Sequence, residues 1–176
     1  IEQEGLHLEA IDIEELALRN VAALLPEDGR GVAMLYLTGG YGLIQVTSGG
    51  ELYLSRRIGI GATDLFAALQ EGDPDASAEA QRLPDLIEQI TLEIQRSLDY
   101  YDSHFAHPPV ACLVVAPTAP ELPSLAADLG GMLAVPVRTL DMADLFGADA
   151  IPHDPALQGH CLTAVGAALR YGGAAP

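Results

Sequence analysis

Residues 30–60, RGVAMLYLTGGYGLIQVTSGGELYLSRRIGI, read as three short strands in succession, 32–37, 41–47 and 52–58. Two Gly-rich turns join them, Thr38-Gly39-Gly40 and Ser48-Gly49-Gly50. Glycine supplies the positive φ that tight hairpins need. The first strand is nearly continuously apolar and the other two alternate. That is the pattern of a central strand beside two outer antiparallel ones.

Downstream, a helix is expected from Ala62 or Thr63 to about Leu69, then an acid-rich loop from Glu71 to Pro84. A long helix follows from about Asp85 to Phe105. Leu86, Ile90, Ile94, Leu98, Tyr101 and Phe105 recur at three- and four-residue spacing and give it one apolar face. His107-Pro108-Pro109 stops it. Val110 to Val115 reads as a buried strand, Leu122 to Leu133 as a helix, Val135 to Arg138 as a short strand and Asp141 to Phe146 as a turn of helix. The last helix runs from Pro155 to Tyr171, with Leu157, Cys161, Val165, Ala168 and Leu169 as its inner face. Two hairpins, a helix, and then strand, helix, strand and helix is the order of a ribonuclease-H-like half-domain; actin-like ATPases are built from two such halves. The expected fold is therefore α/β, a mixed five-stranded sheet with helices on both faces. Strand 110–115 should lie parallel to the first strand, because a helix must cross over before it.

Upstream, Leu6, Leu8 and Ala10 alternate with polar residues, and Ile11 and Ile13 flank Asp12, as in a strand of period two. Glu14 to Leu25 reads as a helix striped by Leu16, Ala17, Asn20, Val21 and Leu24, with Glu14 and Glu15 at its positive end. Pro26-Glu27-Asp28-Gly29 breaks the chain. The expected organisation is a remnant of a first lobe over 1–28, a second lobe over 29–150, and a C-terminal helix and tail over 151–176. The chain begins at Ile1 with no charged-then-apolar leader, so it reads as a piece of a longer protein. Gly172 to Pro176 is expected to be a flexible end. The apolar stripe of the first helix, cut from its lobe, should pack back on the domain, swap with a neighbour or make a dimer.

The net charge is −17, and all eight basic residues are arginine. Such a surface repels phosphate backbones and anionic lipid, which argues against nucleic-acid binding. No run of 18 apolar residues is present, so no membrane span is expected. Cys112 and Cys161 fall in apolar segments without CxxC spacing and read as free buried thiols in a reducing compartment. His104 and His107 end a helix, and His153 and His160 lack Cys or clustered carboxylate support, so no metal site is expected. Asp141 and Asp144 read as helix-capping acids. Asp99 and Asp102 read as surface acids of the long helix. No P-loop or G-x-S-x-G is found.

GLHLEAIDIEELALRN at the start, SRRIGIG after the hairpins, ITLEIQRSLDYYDSHF in the long helix and ALQGHCLTAVGAALR at the end together resemble the MshI proteins of mannose-sensitive haemagglutinin pilus biogenesis. Those are relatives of PilM, the actin-like cytoplasmic protein of type IV pilus assembly. The likeness spans residues 5–171. It implies a cytoplasmic assembly protein held at the inner membrane by a PilN/MshJ-like partner, with the partner's peptide groove in the first lobe. It also implies a homo-oligomer as a candidate assembly. Rival readings of the same fold are an active PilM-like ATPase and the cytoplasmic part of a GspL-type secretion protein.

In the actin-like family the second lobe opens with Asp-x-Gly, whose carboxylate positions magnesium-bound water. By this resemblance the matching place is Tyr36-Leu37-Thr38. A phenol stays protonated near neutral pH and holds Mg²⁺ poorly, so loss of hydrolysis is expected. Gly39 and Gly40 keep a turn whose N–H groups could face a phosphate, although plain hairpin glycines are the simpler account. The second nucleotide loop corresponds to Ala116-Pro117-Thr118-Ala119-Pro120, where proline removes donors. Glu93 and Arg96, three apart on the long helix, are the remaining candidate nucleotide contacts; the plainer account is an exposed ion pair. The 71–84 loop stands where relatives insert a subdomain over the nucleotide. No cofactor is expected, with Mg-ATP disfavoured, and no catalytic residue is assigned.

Overall fold

A computed structural model describes residues 11–71, 82–147 and 149–170. The expected N-terminal strand lies outside them up to residue 10, and its described end, 11–13, is not strand. Of the expected 71–84 loop, Glu71 ends one helix and residues 82–84 begin the next, and the rest lies outside, as does the tail from residue 171. Three strands form the expected meander, β1 (Val32–Leu37), β2 (Gly42–Ser48) and β3 (Glu51–Ile58). Helices α2 (Ala62–Glu71) and α3 (Arg82–His104) follow. Then come β4 (Cys112–Val115), α4 (Leu125–Met132), β5 (Val137–Thr139), α5 (Met142–Phe146) and α6 (Pro155–Ala168). α1 (Glu14–Ala22) precedes them all. The sheet order is β3-β2-β1-β4-β5. β2 runs antiparallel to β1 and β3, while β4 pairs parallel with β1 and β5 parallel with β4. The crossover by α3 before β4 is what makes that parallel pairing reachable.

β1 is apolar throughout because it is covered on both faces. Ala33, Leu35 and Leu37 face one core with Leu65 of α2, Ile90 and Ile94 of α3, and Leu129 of α4. Val32, Met34 and Tyr36 face a second core with Leu18 and Val21 of α1, Met142 of α5 and Leu162 of α6. β2 departs from the expected outer strand. It lies between β1 and β3 and is buried from Gly42 to Thr47. Its alternation of apolar and polar residues misleads because Gln45 and Thr47 are polar yet buried. Gln45 spends its amide on α1, Nε2 donating to Glu15 O at 3.1 Å.

The two Gly-rich turns differ. Gly49 and Gly50 have φ of 58° and 78°, the left-handed backbone of a tight hairpin. Asp28 secures that turn, since its Oδ2 accepts from Gly50 N at 2.7 Å and its carbonyl from Gly49 N at 3.1 Å. Gly39 and Gly40 have no positive φ, so the first turn is not the primed hairpin the glycine pair suggested.

Two helix faces also depart from expectation. On α1 the buried residues are Ala17, Leu18, Val21 and Ala22, while Leu16 and Leu24 of the expected stripe are 37% and 38% exposed. On α6 they are Gln158, Gly159, Leu162 and Gly166; Leu157 is exposed and Cys161 only partly covered. The two small faces meet. A Cβ on Gly166 would overlap the Ala17 carbonyl oxygen and stand 2.6 Å from the carbonyl carbon. Asn20 Nδ2 donates to Gly166 O at 2.9 Å. α1 thus packs against α6 and the sheet through Ala17, Leu18, Val21 and Ala22. Among the described residues no helix is long and apolar enough to cross a membrane.

Candidate functional site

The carboxyl ends of β1, β4 and β5 share one edge of the sheet, the edge where open α/β sheets receive ligands. Three loops leave it: 38–41 after β1, 116–124 after β4 and 140–141 after β5.

The first loop is closed on itself. Thr38 donates from both N and Oγ1 to Tyr41 O, at 2.8 and 2.9 Å, and Tyr41 N donates to Thr38 Oγ1 at 3.1 Å. The start of α2 is pressed onto it. Ala62 N donates to Thr38 O at 2.7 Å and Thr63 N to Gly39 O at 3.2 Å. Only glycine fits at Gly61, where a Cβ would stand 2.6 Å from Tyr41 N. Two N–H groups at the start of α2 that could have met an anion are therefore used on the turn's own carbonyls. A third donor, Gly61 N, is taken by Asp64 Oδ2 at 2.9 Å. Gly40 is the open position, with nothing within 4 Å of its Cβ direction.

Tyr36 stands where the resemblance places the metal-binding carboxylate. It is 8% exposed and packed in the α1–α6 core. Burial pushes its phenol up, with the Glu14 carboxylate adding to that, while a hydrogen bond with Thr163 pulls the other way. A phenol held protonated in this way donates a hydrogen bond but offers no anionic oxygen to a cation.

The other two loops flank a cleft of about 290 Å³ whose walls include Pro117, Thr118, Glu121, Pro123, Asp141 and His153. No arginine lines it, and lysine is absent from the chain. α6 closes its floor, with Gly159 against Pro117 O, where a Cβ would stand at 2.9 Å. Gln158 organises the rim. Its Oε1 accepts from Met142 N at 3.0 Å, and its Nε2 donates to Asp141 Oδ1 at 3.0 Å and Pro152 O at 2.9 Å. Asp141 also accepts from Ala143 N at 2.8 Å, the N-cap bond of α5. That backbone N–H first, then Gln158, holds the Asp141 carboxyl below its ordinary range.

Glu93 and Arg96 form the expected ion pair, Nη1 to Oε1 at 2.7 Å. Glu93 also meets Arg56 Nε of β3 at 3.3 Å. These contacts put the pair on the β3 flank of α3, whereas Gly39 contacts α2 and neither Glu93 nor Arg96 lines the cleft. The four candidate residues are thus split between two places. One wall of the cleft is the 116–120 loop expected at the second nucleotide position, while its Asp141, His153 and Gln158 side was not anticipated. Gln158 sits one residue beyond the apolar stripe read for the last helix, and the capping assigned to Asp141 covers only one of its two bonds.

No protein-family profile matches the chain, and no curated protein matches it in sequence. Solved structures do match in shape. The PilM–PilN type IV pilus biogenesis complex is similar at 17% identity and a TM-score of 0.70, over 96% of this chain and 55% of that one. The ethanolamine utilization protein EutJ from Carboxydothermus hydrogenoformans is similar at 19% identity and a TM-score of 0.59, over 94% of this chain and 56% of that one. The chain spans about half the length of both. With five strands in the order β3-β2-β1-β4-β5 and helices on both faces, the chain has the α/β fold of an actin-like half-domain.

Proposed function

We propose that this chain is the second-lobe part of a cytoplasmic assembly protein of a type IV-class pilus, of the MshI kind, that works by binding and without turnover. The observation that carries the reading is its likeness in shape to the PilM–PilN complex over nearly its whole length. In that reading residues 1–28 close a first lobe, 29–150 form the second and 151–176 lead back toward the first. An inner-membrane PilN/MshJ-like protein would hold the assembly beneath the membrane, and copies of the protein would associate there.

Three features favour a nucleotide site that has lost its function. Tyr36 and Thr38 replace the expected Asp and Gly, and Thr38 spends its hydroxyl inside the turn. Two N–H groups at the start of α2 are tied to the turn's carbonyls and a third to Asp64. The cleft offers a triphosphate no arginine or lysine, and Glu121 and Asp141 stand in its wall. At 4 Å an unscreened pair of like charges near a protein surface costs about 4 kcal/mol. Gly39, Gly40, Glu93 and Arg96 remain the candidate contacts for any nucleotide that binds.

The pilus reading is tested by deleting the coding sequence in the source organism and restoring it. Loss of surface pili with an intact secretion output supports it. Unchanged piliation, or loss of secretion in place of pili, contradicts it.

A further inference from the structure

Three of the eight arginines of this acidic chain gather at one margin of the sheet. β3 ends the strand order, so its outer side pairs with no strand among the described residues. Alternate N–H and C=O groups of an eight-residue strand therefore point away from the sheet. Arg56 and Arg57 are successive on this strand and both exposed. A two-residue period sends them to opposite faces, and their contacts agree. Arg56 Nε meets Glu93 on α3 at 3.3 Å. The Arg57 guanidinium stands 3.6 Å from the centre of the Tyr41 ring, whose hydroxyl donates to Glu14 on α1 at 2.7 Å. Arg96 shares Glu93 with Arg56, so two guanidiniums divide one carboxylate there. Glu51 lies at the opposite end of the strand, so at the Arg56–Arg57 end three guanidiniums stand with two carboxylates, Glu93 and Glu14.

We propose that the outer edge of β3 takes up an extended segment of a partner protein as a further strand, and that this segment carries two adjacent acidic residues opposite Arg56 and Arg57. A strand added at this edge sends successive side chains to opposite faces, so two neighbouring acids meet one arginine each. Backbone hydrogen bonds supply the hold and the arginines set the register. Both arginines are already placed, one on a ring and one on a carboxylate, which lowers the cost of ordering them. A second copy of the chain is a poor occupant. Charged residues at a sheet edge deter the pairing of two copies through it. The net charge of −17 does not forbid an acidic segment, because at physiological salt it is screened within about 8 Å. The inference does not rest on the pilus reading.

The test uses the full chain, isotope-labelled, titrated with a short capped peptide of Val and Thr carrying two adjacent glutamates. Two control peptides replace the glutamates by glutamine or N-methylate alternate backbone nitrogens. Alternate amides of β3 should shift and exchange more slowly, and the glutamate peptide should bind about tenfold tighter than the glutamine one. N-methylation should abolish binding, and Arg57→Glu or Arg56→Gln should weaken it, each variant first shown folded by its spectrum. Equal binding of the glutamate and glutamine peptides, tolerance of N-methylation, changes confined to other strands, no binding, or pairing of two copies through β3 would each overturn the proposal.

Discussion

Gln158 Nε2 donates to Asp141 Oδ1 at 3.0 Å, and this bond fastens α6 to the loop that leaves β5. The same amide satisfies Met142 N and Pro152 O. It does so at 3% exposure, where an unpaired polar group has no water to turn to. Replacing Gln158 with Leu keeps the bulk and strips the partners from those groups. The expected loss is about 1–3 kcal/mol, read as a lower urea midpoint at unchanged slope. Stability equal to that of the parent would show that the clamp contributes nothing.

Glu27 ties the segment before β1 to β5. Arg138 Nη2 and Nε donate to its two carboxylate oxygens at 2.9 and 3.2 Å. The hydrogen bond from Arg138 holds the Glu27 pKa below its ordinary 4.5. A depressed folded-state pKa contributes stability that is present above the unfolded value and lost as pH falls through the folded one. Glu27→Gln should therefore be less stable than the parent at pH 7, by under about 1 kcal/mol for so solvated a pair. The difference should shrink as pH falls below the ordinary value and vanish below the depressed folded-state one. Urea titrations at neutral and acid pH check this; a gap that stays constant between them would contradict it.

Gly166 lets α6 lie directly on α1. A methyl group there would overlap the Ala17 carbonyl, so Gly166→Ala should cost about 1–3 kcal/mol through forced separation of the two helices. Thermal unfolding measures the loss. Proteolysis should cut earliest near α1 if the contact is what holds that helix down.

Leu18 and Leu16 are neighbours on α1 with different fates. Leu18 is fully buried and Leu16 is 37% exposed. Leu18→Ala should cost about 2–5 kcal/mol, while Leu16→Ala should stay within about 0.5–1 kcal/mol. Equal losses from the two would mean that the buried stripe had been assigned to the wrong face.

The strand order was legible because β1 is apolar on both faces and the Gly49-Gly50 turn has the backbone its glycines suggest. Two helix faces were harder. α6 buries Gln158, Gly159 and Gly166, and small or polar residues carry no hydrophobic signal although they make the closest contacts. β2 misled for the same reason, since Gln45 and Thr47 are buried polar residues. The cleft was out of reach of the sequence because it forms where the loops after β4 and β5 meet the start of α6. Glu93 and Arg96 read correctly as a pair, but spacing on a helix says nothing of which loop the pair faces.

We propose that this half-domain does not use nucleotide, and calorimetric titration of the chain with Mg-ATP is the decisive measurement. No heat above dilution is expected. A micromolar dissociation constant that weakens on substituting Glu93 or Arg96 would contradict it.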